Sequence, residues 1–243
     1  MKKPNFSLNA SPEQIAEKVL LTPDVESCVH VAETYFKNTV RFNENKNFFG
    51  CTGEYMGKRL TAISAGIGMA ATGMLAAELY GKYGVQTIAN LGLCDGLKEE
   101  IQPRQYVLVT AASTDSNYGD GFGLPGYIAP AADFETTAAI KADFETRKGL
   151  KIAAYENPVL HVGTVLSSDR RISDPLEAAE WTESGAIAAD TNTAALFLTA
   201  QKYGKKAVSL LVVDRNIATG EEMKDGEFQR VTMRQIVLAM ANL

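Results

Sequence analysis

Cysteine and histidine are both scarce in this chain, and their scarcity excludes several kinds of chemistry. Cys28, Cys51 and Cys94 are the three cysteines, His30 and His161 the two histidines, and no CxxC pair occurs in 243 residues. An odd number of widely spaced cysteines does not make a disulfide framework, and so few soft ligands do not make a zinc site. Reduced thiols in a cytoplasmic compartment are expected, with no metal and no cofactor. The chain also lacks GxGxxG, Walker A and GxSxG sequences, and no histidine stands near a serine or cysteine to form a nucleophilic triad. An excess of positive charge is missing too. With 24 Lys+Arg against 29 Asp+Glu the net charge is −5, which argues against a nucleic-acid binder and against a polybasic membrane-surface protein. The opening MKKPNFSLNASPEQ has no apolar core of the signal-peptide kind. One uncharged stretch, Leu60 to Ala77, approaches the length that spans a bilayer. Thr61, Ser64, Gly66, Gly68, Thr72 and Gly73 interrupt it, so it reads as a buried strand, a glycine turn and the start of a helix.

What remains is ample for a core: 46% of residues are hydrophobic and 22% charged. The length suits one domain spanning 1–243. Short apolar, β-branched runs predict strands over Lys18–Leu21, Arg59–Ala65, Gln86–Gly92, Gln105–Ala112, His161–Ser167 and Ala207–Asp214. Amphipathic stretches predict helices over Asp24–Lys37, Ala70–Tyr83, Asp133–Lys148, Pro175–Glu183, Thr191–Tyr203 and Gly226–Ala241. Gly84, Gly149 and Gly204 each follow a basic last turn, as a glycine stop should. Asn117–Pro130, rich in glycine and proline, reads as a long surface loop. Strands alternating with helices give an α/β class: a twisted mixed sheet surrounded by helices. In such folds ligands sit beyond the carboxyl ends of strands. That rule singles out Thr22–Ser27, Gly66–Ala71, Asn90–Gly96, Ser113–Ser116, Ser167–Ser173, Asp190–Thr193 and Asp214–Ala218.

Taken in order, these segments resemble the nucleoside phosphorylases of the hexameric purine nucleoside phosphorylase and uridine phosphorylase type. The resemblance rests on Val19–Asp24, Val31–Tyr35, Phe49–Gly57, Gly66-Ile67-Gly68, Leu91–Gly96, Thr114–Ser116, Ala132–Glu135, Ser167–Asp169 and Val212–Arg215. It covers nearly the whole chain, from about Lys18 to Leu243. It implies a single α/β domain, a homo-oligomer (a dimer or a trimer of dimers), a nucleoside or base as ligand, and cleavage of an N-glycosidic bond.

The resemblance also implies where each part of the ligand goes, and shows departures there. The phosphate loop corresponds to Pro23 and its neighbours, and Ser27 stands in place of its arginine. Asn90 stands in place of a second arginine, Leu93 in place of a hydroxyl residue, and Asp95 in place of a glycine. Only Lys46, which relatives supply from a neighbouring subunit, keeps a positive charge. Phosphate binding is therefore doubtful. The ribose group is implied at Asn192, Thr191 and Ile67; Asn192 offers an amide where relatives offer a carboxylate. The base region is implied at Arg171, Asp190, Arg215 and Ser168, with Asp214 as the acid that protonates the leaving base. Asp214 and Arg215 also admit a plain ion-pair or strand-end role. Arg170 and Arg171 either converge on an anionic or carbonyl-rich ligand group or pair with Asp169, Asp174 or Glu177. Cys94 reads as core packing and His161 as an ordinary hydrogen-bonded strand residue. Three activities stay open: phosphorolysis, phosphate-independent hydrolysis, and binding without catalysis.

Overall fold

The computed structural model describes residues 8–44, 48–147, 158–224 and 228–243. In chain order the strands are β1 (Lys18–Thr22), β2 (Lys37–Phe42), β3 (Gly50–Tyr55), β4 (Lys58–Ser64), β5 (Thr87–Asn90), β6 (Leu93–Gly96), β7 (Tyr106–Thr114), β8 (Leu160–Ser167), β9 (Ala186–Asp190) and β10 (Lys206–Asn216). The helices are α1 (Val25–Thr34), α2 (Met69–Lys82), α3 (Phe134–Arg147), α4 (Pro175–Glu183), α5 (Thr193–Tyr203) and α6 (Phe228–Asn242). No described helix is long and apolar enough to cross a membrane. The uncharged stretch from Leu60 divides between β4, a glycine turn and α2.

One mixed sheet runs in the order β2-β3-β4-β1-β5-β10-β6-β9-β8-β7, and β7 returns to pair with β10. The second half of the sheet thus closes on itself, which removes its edge. β10 makes this possible because it is long. Lys206–Ser209 pair in parallel with β5, Leu210–Val212 pair antiparallel with β7, and Val212–Asn216 pair in parallel with β6. Its residues Val208 and Leu210–Val213 are fully buried, as the apolar run predicts for a strand covered on both faces. β5 and β6 are separate strands: the expected run Gln86–Gly92 breaks after Asn90, and Leu91–Gly92 carry the chain from one side of β10 to the other.

Four strands were not legible in the sequence. β2 is an edge strand with five exposed residues, so no apolar run marks it, and the helix expected to reach Lys37 ends at Thr34. β3 carries two glycines, and β6 and β9 are short and rich in small residues. All four are held by pairing with neighbours. The glycine stops at Gly84 and Gly204 have positive φ; Gly149 lies outside the described residues. Within the expected loop Asn117–Pro130, residues Asn117–Phe122 form a 3-10 turn. Tyr118 of that turn packs on Gly73 so closely that a Cβ there would lie 2.1 Å from its hydroxyl, which in turn meets the Thr199 hydroxyl at 2.8 Å. α2 and α5 are thereby locked to the loop on one side of the sheet.

Candidate active site

A cavity of about 410 Å³ opens at the carboxyl ends of β1, β5, β6, β9 and β10, where an α/β fold is expected to bind ligands. Of the residues singled out in the sequence, Pro23, Ile67, Asn90, Leu93, Arg171, Asp190, Thr191, Asn192 and Asp214 line it. Ser27, Ser168 and Arg215 do not, and Lys46 lies outside the described residues. Cys94, Asp95, Asp169 and Arg170 complete much of the wall.

The Gly66-Ile67-Gly68 turn forms the rim. Both glycines have positive φ (72° and 104°), a conformation that a side chain would strain. The turn leaves Ile67 82% exposed at the mouth. Asn192 holds this turn from across the cavity. Its Oδ1 accepts from the Gly68 N–H at 3.0 Å and the Thr191 hydroxyl at 2.6 Å, and its Nδ2 donates to the Gly66 carbonyl at 3.1 Å. Most of the hydrogen-bonding capacity of this amide, implied to meet a ribose, is used here to fix the rim.

The end where the resemblance implies phosphate is a closed knot of hydrogen bonds around the acid Asp190, with no arginine in it. Asn90 is buried and donates to the Ser209 hydroxyl at 3.0 Å, and Ser209 in turn meets Thr193 Oγ1 at 2.8 Å. Thr193 donates its backbone N–H and its hydroxyl to Asp190 Oδ2, at 3.0 and 2.5 Å, while Ser167 donates to Asp190 Oδ1. Asp190, implied near the base, lines the cavity, and its carboxylate is engaged inside this knot, capping the start of α5. Burial pushes the Asp190 carboxyl above its ordinary range, against the pull of the hydroxyl and amide donors. At the start of α1, Asp24 Oδ1 accepts the Ser27 N–H at 2.6 Å, so the helix N-terminus supplies its own anion. Ser27 is thus a capping-turn residue outside the cavity.

The opposite end is densely charged. Asp95, on β6, is 4% exposed and receives two arginines. Arg171 binds it side-on, Nε to Oδ2 at 3.0 Å and Nη2 to Oδ1 at 2.8 Å, and also reaches Asp214 Oδ2 at 2.8 Å. Arg215 donates to Asp95 Oδ2 at 2.9 Å and to the Ile172 carbonyl at 2.8 Å. The hydrogen bonds from Arg171 to Asp95 push the guanidinium's pKa further up, outweighing burial, with Asp214 adding to the effect. The register on β10 shifts between Val213 and Arg215, so Asp214 sits at a bulge. A bulge re-aims its side chain; here Asp214 faces the cavity and Arg215 turns to Asp95.

The remaining expectations resolve simply. Arg170 pairs with Glu177, one of the partners expected for it, with one contact at 2.9 Å, but Arg171 pairs with neither Asp169, Asp174 nor Glu177. Ser168 is buried and donates to Asp115 at 3.0 Å rather than facing a base. Cys94 is buried, and burial pushes its thiol pKa well up, away from reactivity. The residue that the sequence reading left without a role is Asp95. The expected strand stopped at Gly92, so nothing in the sequence marked Asp95 as a buried carboxylate that requires cations close by.

Residues 17–242 match the sequence profile of the phosphorylase superfamily. The chain belongs to that superfamily. Among similar proteins, the purine nucleoside phosphorylase of DeoD type from Alkaliphilus metalliredigens is 32% identical over 238 residues, covering 97% of this chain and 98% of that one. The corresponding Bacillus velezensis protein is also 32% identical, over 96% of this chain and 97% of its own length. A crystal structure of uridine phosphorylase from Vibrio fischeri superposes on this phosphorylase-superfamily chain with a TM-score of 0.87 at 18% identity, covering 100% of this chain and 98% of the other, a likeness of fold.

Proposed function

We propose that this chain cleaves the N-glycosidic bond of a nucleoside, of purine or uridine type, in the cavity at the carboxyl ends of the strands. The observation that carries the reading is Asp214. It stands at the bulge near the end of β10, faces the cavity and has the Arg171 guanidinium 2.8 Å away. When it carries a proton, it can pass it to a ring nitrogen of the base as the bond to the sugar breaks. Arg171 then stabilises the carboxylate left behind. The Gly66–Gly68 rim, held by Asn192, and Thr191 beside it stand on the sugar side, and Ile67 covers the mouth.

The sugar must then be captured by phosphate or water. Relatives named phosphorylases bear on the first; the Asn90 knot, which has no arginine, and the apolar Leu93 favour water. Hydrogen bonds to charged groups contribute about 1.5–3 kcal/mol each. Replacing two arginines by Asn90 and Ser27 therefore weakens phosphate by decades at about 1.4 kcal/mol per decade. Lys46 of a neighbouring subunit remains the cation for that role in a homo-oligomer. The unbonded Cys28 and Cys51 sulfurs, 3.7 Å apart, suit a reducing, cytoplasmic setting.

The test is a nucleoside panel with and without phosphate, followed by release of free base. Release that needs phosphate supports phosphorolysis, and release without it supports hydrolysis. Binding with no release would replace both by a non-catalytic role.

A further inference from the structure

The charged end of the cavity presents a specific hydrogen-bonding edge. An arginine side chain offers two edges: a side-on one made by Nε and Nη2, and an end-on one made by Nη1 and Nη2. In Arg171 the side-on edge is filled by Asp95. On the end-on edge Nη2 donates to Asp214 Oδ2, while Nη1 has no hydrogen-bond partner among the described residues. The Asp214 side chain is 31% exposed, and its Oδ1 is likewise unpartnered among the described residues. A donor, Arg171 Nη1, and an acceptor, Asp214 Oδ1, therefore stand on either side of one ion pair at the cavity wall. Arg171 does not swing freely, because Asp95 is itself buried and also held by Arg215.

Resting on the nucleoside reading above, we propose that this edge selects purines with a carbonyl at position 6 over those with an amino group there. The departing base carries an N–H once its ring nitrogen has been protonated. That N–H meets the Asp214 carboxylate, and the neighbouring carbonyl oxygen accepts from Arg171 Nη1. A 6-amino group sets its own N–H donors against the guanidinium, leaving both donors unpaired. A site built to hydrogen-bond one group discriminates against an analogue that cannot reciprocate, because its polar atoms are left unsatisfied. Asp95 is a positioning residue in this scheme: it fixes which edge of Arg171 is left for the ligand.

Inosine and adenosine are to be compared as substrates, and hypoxanthine and adenine as ligands by calorimetry, in the wild type and in Arg171→Met and Arg171→Lys. The wild type should favour inosine in kcat/KM, and hypoxanthine in Kd, by about tenfold or more. Both variants should lose most of that ratio, the lysine because its single ammonium cannot grip Asp95 side-on and still donate beside Asp214. Melting curves confirm that the variants are folded, and the wild-type ratio stands as a test without them. Cleavage of both nucleosides with no preference, or a preference that survives in Arg171→Met, would overturn the selectivity while leaving the nucleoside reading intact. Failure to bind either base or cleave either nucleoside would overturn the selectivity too, and failure to cleave uridine as well would overturn the nucleoside reading.

Discussion

The two ends of the cavity solve the problem of buried polarity in opposite ways. At the Asn90 end, five side chains (Asn90, Ser209, Thr193, Asp190 and Ser167) satisfy one another with hydroxyl and amide hydrogen bonds. At the Asp214 end, two aspartates and two arginines balance in charge but not in geometry, and one guanidinium nitrogen and one carboxylate oxygen remain open. Both ends are polar and Asn90 Oδ1 too has no partner among the described residues, yet of the side chains named only Arg171 at the second end keeps an unspent donor. The comparison teaches that residue type alone does not make a binding group. What counts is the capacity that remains after internal partners have taken their share.

Breaking the charged end should have the largest effect. Asp214→Asn should lower glycosidic cleavage about a hundredfold or more, near 2.7 kcal/mol in the barrier, with a smaller loss of base binding. Turnover equal to the wild type would remove the acid role. Breaking the Asn90 end should register in stability instead. Asp190→Ala strands the Ser167 and Thr193 donors in a buried site and should cost about 2 kcal/mol, read by denaturant unfolding. A neutral result would mean that the knot is looser than its distances indicate.

The contrast sharpens further with an added anion. A ligand at a hundredfold its dissociation constant stabilises a fold by about 2.7 kcal/mol. Millimolar phosphate should leave the melting temperature close to its value in chloride. A clear rise that Lys46→Ala abolishes would restore an anion site at the Asn90 end. The smallest effect concerns a residue remote from both ends. Burial depresses the His161 imidazole below its ordinary value of 6.5, with the Glu100 carboxylate pulling it back up, and its ring meets Gln105 Oε1 at 2.7 Å. The neutral ring is the folded form, so its contribution is complete above pH 6.5 and is lost as pH falls through the depressed value. Melting temperature should decline modestly on acidification from pH 7, and less in His161→Gln.

Much of the fold was legible locally. Val208–Val213 could only be a strand covered on both faces, and Gly84 and Gly204 mark helix ends because a left-handed residue is needed there. Leu60 to Ala77 could not be a membrane span once Ser64, Gly66 and Gly68 interrupt it. β2, β6 and β9 were not legible, because their residues carry no periodicity and only pairing with neighbours makes them strands.

The site divides in the same way. Chain order placed Asp214, Arg171, Asn90 and Asn192 around one cavity, since strand ends in an α/β sheet converge there whatever their side chains. Sequence also determined that no arginine stands at Ser27 or Asn90. Only the tertiary structure decided how each group is spent. The bulge at Asp214 overrides strand alternation, Asp95 reaches Arg171 across 76 residues of chain, and Asn192 reaches Gly66 across 126. Hydrogen bonds between residues so far apart depend on strand register and angstrom-scale distances, which no local pattern of residue types encodes.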